Sequence, residues 1–220
     1  MTKNFTMPIF LICCCLVLGC EENSVDIEWK EGDILFQNGD CGDFCTAIRK
    51  VTTAYEGRHF SHNGLLLKEK GQWMVIEAIR EGVSLTPLDT FLFRHTTPSG
   101  NPSVHVGRLK SPNRKLIPLA LKHAKSLIGK PYDMAFDMEN DAYYCSELIH
   151  LAFKKANRGK GIFQTPPMTF NDPETGQVFP VWKKHFEGLS RPVPEGEPGL
   201  NPGGMTRDSA IEMIFNLESP

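Results

Sequence analysis

Apolar and polar residues alternate along several short stretches of the chain, as they do in half-buried β-strands. A glycine turn at Gly32 precedes the first stretch. A polar turn around Lys70 and Gly71 separates two others, which we expect to form a hairpin. The predicted strands are residues 33–37, 63–68, 73–79, 83–85 and 104–109.

Apolar residues three or four positions apart predict helices between and after these strands. Pro87 suits the first position of a helical turn, because proline lacks an amide hydrogen that would have no partner there. Gly129 and Pro131 close the longest amphipathic stretch. The predicted helices are residues 44–55, a turn at 86–88, residues 113–128 and residues 143–156.

The last part of the chain has a different pattern. Residues 191–204 are crowded with proline and glycine and lack an apolar period. They form either a surface tail or a loop that folds along the rim of a cleft. Residues 209–217 are expected to add a terminal helix or an edge strand.

The first residues predict an export signal. Lys3 supplies a positive start, and the apolar run at residues 9–18 is too short for a lasting membrane-spanning helix. Val17-Leu18-Gly19-Cys20 resembles the lipobox of bacterial lipoproteins, in which cleavage follows Gly19 and Cys20 carries the lipid. Leu18 is bulkier than the residue usual there, and an ordinary secretory signal cut nearby is the alternative.

Length and composition limit the possible functions. The 220 residues allow one domain with a substantial core, and 40% hydrophobic with 23% charged residues is typical of soluble globular proteins. The formal net charge of −2 gives no electrostatic argument for binding nucleic acid.

Three of the seven cysteines, Cys41, Cys45 and Cys145, follow the leader. An odd number in an exported protein leaves one thiol unpaired. Cys41 and Cys45 are close enough in sequence to form a disulfide, and two buried thiols are the alternative. In either case Cys145 is the natural unpaired thiol.

Cys145 stands where the last predicted helix begins. Free amides and the positive end of the helix dipole stabilise a thiolate at such a position, and Glu147 in the first turn suits the same field. A cysteine activated in this way is a nucleophile. The alternative is a small apolar residue in the core, which is the commoner role of a free cysteine.

A nucleophilic cysteine needs a base close to sulfur and a group that orients the base. His62 leads directly into a predicted strand, and Gly64 allows close approach of the backbone. Glu77 lies in the middle of the apolar partner strand, where a charge is costly to bury without a partner. We therefore predict a Cys145–His62–Glu77 cluster, although a structural His62 and a solvent-facing Glu77 are the alternatives.

Zinc is the main chemical rival to this cluster. His59, His62 and Cys145, with Glu77, are ligands of suitable type. The chain has no tight pair of cysteines or helical pair of histidines of the kind that marks zinc sites. We predict no metal and no other cofactor.

Five motifs in this order resemble the YaeF/YiiX-like permuted papain-fold amidases, which are related to the NlpC-type cysteine peptidases. The motifs are Gly32-Asp33-Ile34-Leu35-Phe36, Ser61-His62-Asn63-Gly64, Val75-Ile76-Glu77-Ala78, Gly129-Lys130-Pro131-Tyr132-Asp133 and Tyr144-Cys145-Ser146-Glu147-Leu148. The resemblance implies an α+β, circularly permuted papain-like fold. In that fold an antiparallel sheet packs against the helix that bears the catalytic cysteine, and the histidine strand precedes this helix.

The resemblance also implies residue roles. Cys145 would be the nucleophile, His62 the base and Glu77 the third member. Tyr144 and Ser61 would lie at the substrate and oxyanion position, with the amide of Cys145 as one donor. Asn63 departs from the small apolar residue expected at its position.

The expected organisation has four parts, and the last of them exceeds the core shared with the family. They are a lipoprotein signal peptide at 1–19, a tether at 20–28, the hydrolase domain at 29–190 and a Pro/Gly-rich extension at 191–220.

The resemblance predicts an exported, membrane-anchored lipoprotein of the cell envelope that hydrolyses amide bonds through an acyl-enzyme, with cell-wall peptides as one substrate class. A lipid acyl hydrolase or acyltransferase of the same fold is an alternative, distinguished by a wide apolar groove beside Cys145. A non-catalytic lipoprotein that binds an envelope ligand is another. The expected partners are a peptide, acyl-amide or other small substrate and the membrane, but not nucleic acid.

Overall fold

A computed structural model describes residues 27–218 of the chain. The predicted signal peptide, Cys20 and most of the tether lie outside these residues and remain predictions. Within the described range, no helix combines the length and the apolar character needed to span a membrane.

A six-stranded antiparallel sheet forms the centre of the domain, with the strand order β4-β3-β2-β1-β5-β6. The central strand β1 is fully buried and has three consecutive apolar residues before Gln37, because both faces of the sheet are covered there. The strands are β1 (Ile34–Gln37), β2 (His62–Glu69), β3 (Gln72–Ile79), β4 (Gly82–Pro87), β5 (Val104–Leu109) and β6 (Ile211–Asn216).

Within residues 27–218, six α-helices surround the sheet, together with short 3₁₀ turns at Tyr55–Gly57 and Asn113–Leu116. The helices α3 and α4 pack against each other, and α4 contacts β2 and β3. The helices are α1 (Asp43–Val51), α2 (Leu88–Leu92), α3 (Ile117–Lys125), α4 (Cys145–Ala156), α5 (Pro180–Gly188) and α6 (Pro202–Met205). The helix that begins at Cys145 is therefore fixed directly on the sheet, as the predicted fold class requires.

Three apolar clusters hold these layers together. The largest lies between the sheet and the pair α3 and α4, and includes Leu65, Ile76 and Phe153. A second covers the opposite side of β1 to β3 and takes in Phe91 of α2. A third joins α1 to α5 around Trp182.

Two predicted helices are shorter in the structure. The stretch 113–128 begins as a 3₁₀ turn and becomes α-helical only from Ile117, with Pro118 in the first helical turn. A proline inside a longer α-helix would remove one hydrogen bond and clash with the preceding turn. The stretch 44–55 ends at Val51, because Thr52 takes an extended conformation.

The segment from residue 191, which the sequence pattern sets apart as an extension, is packed into the same folded unit. Strand β6 pairs with β5, so the edge-strand alternative is the one observed. Leu200, Met205 and Ile211 are buried in the main core.

The structure joins Cys41 to Cys45 in a disulfide at the start of α1. Of the two possibilities for these cysteines, the pairing is therefore the one found. Cys145 is the free cysteine among the described residues, and it is buried.

Candidate active site

Cys145 is the first residue of α4. The preceding residue, Tyr144, is extended, and its amide donates to Oε2 of Glu147 at 3.1 Å, which ties the chain to the first turn of the helix. The thiol therefore sits at the amino end of a helix, where unpaired amides and the helix dipole favour negative charge.

His62 opens β2, and its ring lies between an acid and the thiol. Nε2 is 2.6 Å from Oε2 of Glu77, which leaves Nδ1 for Cys145. Burial lowers the pKa of His62, but hydrogen bonds to the Cys145 thiol and the Glu77 carboxylate outweigh it and raise this pKa to about 9. His62 therefore carries a proton at neutral pH.

The thiol responds in the opposite sense. Burial raises the pKa of Cys145. The His62 imidazolium and the backbone amide of Asn63 outweigh burial and lower this pKa below its ordinary value. Together the two shifts favour a thiolate–imidazolium pair, which is the reactive form of a cysteine nucleophile.

Glu77 is fully buried in β3 and has three side-chain partners. Besides His62, Arg94 donates to both carboxylate oxygens, and the hydroxyl of Thr86 donates to Oε1 at 2.5 Å. Burial raises the pKa of Glu77, but these bonds outweigh it and lower the pKa to about 2. The structure therefore brings Cys145, His62 and Glu77 together.

The sequence reasoning missed Arg94 and Thr86. A buried carboxylate in an apolar strand requires partners, so their existence was foreseeable. Their identity was not, because it depends on strand register: Thr86 stands opposite Val75 on β4, and Arg94 follows the short helix α2.

Gly64 permits the close packing beneath His62. A Cβ at this position would lie 2.3 Å from Cγ1 of Val75 and 3.2 Å from Cε2 of Phe91. The ring of Phe91 in turn lies 5.8 Å from the His62 ring. The glycine thus lets β2 approach the layer that supports the histidine, as the sequence predicted.

The two residues expected at the oxyanion position, Ser61 and Tyr144, both line the cavity that contains Cys145. Their hydroxyl groups already bond to the backbone. Ser61 Oγ accepts from the amide of Gly39 and donates to its carbonyl, while Tyr144 Oη accepts from the amide of Leu200 at 3.3 Å. The backbone amide of Cys145 is therefore the first candidate to donate a hydrogen bond to a developing oxyanion.

Glu147 differs from the charged first-turn residue that the sequence suggested. Its side chain is buried, and burial raises its pKa to about 8, so the group is mostly neutral at pH 7. Two residues from a thiolate, a neutral acid avoids a second negative charge.

A cavity of about 790 Å³ adjoins Cys145. Its walls are mainly apolar and aromatic and come from α1, α5, the segment before α4 and residues 199–209. They include Phe44, Ile48, Phe136, Met168, Phe170 and Trp182. Residues from the Pro/Gly-rich segment therefore do lie along the cleft.

Tyr132 of the Gly-Lys-Pro-Tyr-Asp motif also lines this cavity. Burial and the nearby Cys145 thiolate raise its pKa far above the usual range, so its hydroxyl stays protonated. The sequence pattern assigns Tyr132 no role in the site, because nothing local places this motif beside Cys145.

The donor set does not fit a metal ion. Within residues 27–218 no three His, Cys, Asp or Glu side chains are grouped to hold one. Nε2 of His62 and both oxygens of Glu77 are already engaged by each other, Arg94 and Thr86.

The chain is similar to known proteins in sequence and in fold. Residues 28–215 match the family described as "Permuted papain-like amidase enzyme, YaeF/YiiX, C92 family". No curated protein matches the chain. Among solved structures, the protein described as metalloprotein yiiX from Escherichia coli O157:H7 is 23% identical, with a TM-score of 0.68 over 85% of this chain and 97% of that chain.

The family match spans most of the chain, including much of the segment after residue 191. The likeness to the Escherichia coli structure supports the same fold. The chain therefore belongs to the permuted papain-like amidases of the YaeF/YiiX type, a family of cysteine amidases and peptidases.

Proposed function

We propose that this amidase is exported and cleaves amide bonds with Cys145 as nucleophile, His62 as acid and base, and Glu77 as the residue that holds His62. The observation that carries the proposal is the 2.6 Å hydrogen bond between His62 and the buried Glu77 carboxylate, together with the opposite pKa shifts that His62 and the Cys145 thiol impose on each other. It combines a charged donor, a depressed thiol pKa and a buried orienting acid at one helix end.

In the first half of the reaction, the Cys145 thiolate attacks the carbonyl carbon of the amide. A C–S bond forms and the carbonyl oxygen becomes an oxyanion, which accepts from the backbone amide of Cys145. The oxyanion then collapses, the C–N bond breaks, and the proton of His62 Nδ1 passes to the leaving amine. The products are a thioester on Cys145 and a neutral imidazole.

In the second half, neutral His62 takes a proton from water as the water oxygen attacks the thioester. The C–S bond breaks, the acid departs and the thiolate–imidazolium pair is restored. Glu77 stays ionised throughout and stabilises the imidazolium each time it forms.

In this proposal, the acyl group of the substrate binds in the cavity beside Cys145. Cell-wall peptides remain a candidate by analogy with the NlpC-type relatives. The cavity beside Cys145 is wide and mainly apolar, which favours the second candidate, an acyl-lipid substrate with a long hydrocarbon or aromatic group.

An envelope location is part of the proposal. The lipobox-like Val17-Leu18-Gly19-Cys20 would direct export and lipidation at Cys20. The Cys41–Cys45 disulfide supports a compartment outside the reducing cytosol. Mass spectrometry of the protein from membranes of its host tests the anchor: a diacylated Cys20 supports it, and an unmodified amino terminus contradicts it.

One substrate panel tests the activity. Amides of one chromogenic amine would carry acetyl, short peptide or long-chain acyl groups. Turnover that is lost in Cys145→Ala supports the proposed site. Preference for long-chain acyl amides selects the lipid substrate, preference for peptides selects the cell-wall class, and hydrolysis that survives in Cys145→Ala contradicts the site.

A further inference from the structure

We propose that Arg94 is a positioning residue of this amidase, which fixes the Glu77 carboxylate and limits how tightly His62 holds its proton. The inference rests on the proposed Cys145–His62–Glu77 site and concerns a residue that does not touch the substrate.

Arg94 grips the carboxylate with two hydrogen bonds, from Nη1 to Oε2 at 2.8 Å and from Nη2 to Oε1 at 2.6 Å. Oε2 also faces His62, and Oε1 also accepts from Thr86. A forked guanidinium fixes the plane of a carboxylate as a single point charge cannot. The direction in which Glu77 presents Oε2 to the imidazole therefore depends on Arg94.

Arg94 also balances the charge of the buried site. The reactive form of the site contains two anions, the Cys145 thiolate and Glu77, and two cations, the His62 imidazolium and Arg94. Without Arg94 this buried group carries a net charge of −1, and the imidazolium becomes its sole cation. Because an uncompensated anion strengthens the hold on a nearby proton, His62 becomes a weaker acid toward the leaving amine.

Phe91 of α2 links the two cations in space. The Arg94 guanidinium carbon lies 5.5 Å from the centre of the Phe91 ring, and the His62 ring lies 5.8 Å from it. The carbonyl of Phe91 accepts from Nε2 of buried Gln37 at 2.7 Å, which anchors this support to β1. Arg94 is therefore held by a fixed surface rather than left free in solvent.

Few other charged groups act on this cluster. Glu81, in the turn between β3 and β4, attracts Arg94 from a distance. His95, beside Arg94, has a pKa lowered by burial and by the positive charges of Arg94 and His62, while Asp40 has a small opposite effect. The groups that face His62 from β3, α4 and the segment after α2 are thus Glu77, Cys145, Arg94 and a neutral His95.

The test compares Arg94→Gln with Arg94→Lys and with a matched control, Arg80→Gln. Arg80 is an exposed arginine just beyond β3. Two readouts need no known substrate: the NMR titration of the His62 imidazole, and the rate at which iodoacetamide alkylates Cys145 across pH. Hydrolysis of the best amide from the substrate panel adds a third.

In Arg94→Gln we expect the His62 titration to move upward by about half to one pH unit, because a neighbouring cation is lost. The turnover number kcat should fall by about tenfold or more with KM nearly constant. Arg94→Lys keeps the charge, so the titration stays near its wild-type position while kcat recovers only in part. Arg80→Gln should match the wild type.

An unchanged His62 titration and unchanged kcat in Arg94→Gln would overturn the inference. If Arg94→Gln does not fold, Arg94→Lys decides, since full wild-type kcat in that variant contradicts a role for the forked contact. A wild-type protein whose Cys145 is not alkylated near neutral pH would instead sink the proposed catalytic site, so the two failures are distinct.

Discussion

His62 and Glu77 meet through a hydrogen bond of 2.6 Å between Nε2 and Oε2, although 15 positions separate them in the chain. Nδ1 is therefore the nitrogen that faces the thiol. The buried acid both selects this orientation and stabilises the imidazolium.

Glu77→Gln should therefore lower the pKa of His62 from about 9 toward its ordinary value. The thiolate loses its stabilised partner, and kcat/KM should fall by about a hundredfold. The alkaline limb of the pH–rate profile should move to lower pH. Exposed Glu187→Gln serves as the control, and a wild-type profile in Glu77→Gln contradicts the assignment.

Cys145→Ala should abolish amide hydrolysis while the melting temperature changes little, because a small side chain replaces a small one at the helix start. The same variant should lower the pKa of His62, since the thiol is one of the two groups that raise it. Kinetics and an NMR titration of the imidazole measure both effects. Hydrolysis that persists would mean that another group is the nucleophile.

Glu147→Gln should stabilise the protein at neutral pH. The folded-state pKa of this buried acid is raised to about 8, so the folded protein holds a proton that the unfolded chain releases near pH 4.5. Stability that depends on this proton is complete below about pH 4.5 and declines as pH rises toward 8. The amide should recover about 2 to 3 kcal/mol at pH 7.

Urea unfolding at pH 5 and pH 8 measures this difference, which should be larger at pH 8. Exposed Glu139→Gln provides the control. A Glu147→Gln protein that is less stable than wild type at both pH values would show that the carboxyl group is not destabilising where it lies.

Asp33→Ala should cost about 3 kcal/mol of unfolding free energy. Asp33 is buried beside β1 and accepts from Arg108 through both carboxylate oxygens, at 2.7 and 2.8 Å, and from the amide of Lys30. Removing Asp33 leaves the largely buried guanidinium of Arg108 without its carboxylate partner. Glu69→Ala, which breaks a surface pair with Lys125, should cost much less, because an exposed ion pair is screened by solvent. Equal losses in the two variants would contradict this ranking.

Met134→Glu should reduce hydrolysis of long-chain acyl amides at least tenfold and leave short acyl amides nearly unaffected. Met134 lines the cavity and is partly exposed, so a charge there meets the apolar part of a substrate without disturbing the core. Phe93→Glu is the matched control, because Phe93 is 58% exposed and is not among the lining residues of the cavity. Equal losses for short and long substrates would place the acyl group elsewhere.

The sequence predicted the strands well because alternation is a local property. Five of the six strands follow predicted stretches closely, and the sixth lies within the stretch for which helix and strand were both open. The shortened α3 was foreseeable from Pro118, which breaks an otherwise regular apolar period.

The sequence showed that buried Glu77 needs hydrogen-bond partners, but it did not show which residues they are. Glu77 lies in an apolar strand, where a charged side chain requires a partner. Nothing in the local sequence indicates that Arg94, 17 positions later, donates to its carboxylate. Helix α5 was missed for a related reason. Its Trp182 and Phe186 are buried against α1, Phe136 and Phe170, contacts that depend on the whole fold.

The cleft is completed by parts of the chain that lie well after the nucleophile. Residues 199–209 supply a wall of the cavity, more than fifty positions beyond Cys145. During synthesis on the ribosome, the base strand and the cysteine helix therefore emerge before the surface that encloses them. A polypeptide that has reached only Ala156 therefore lacks this wall of the cavity.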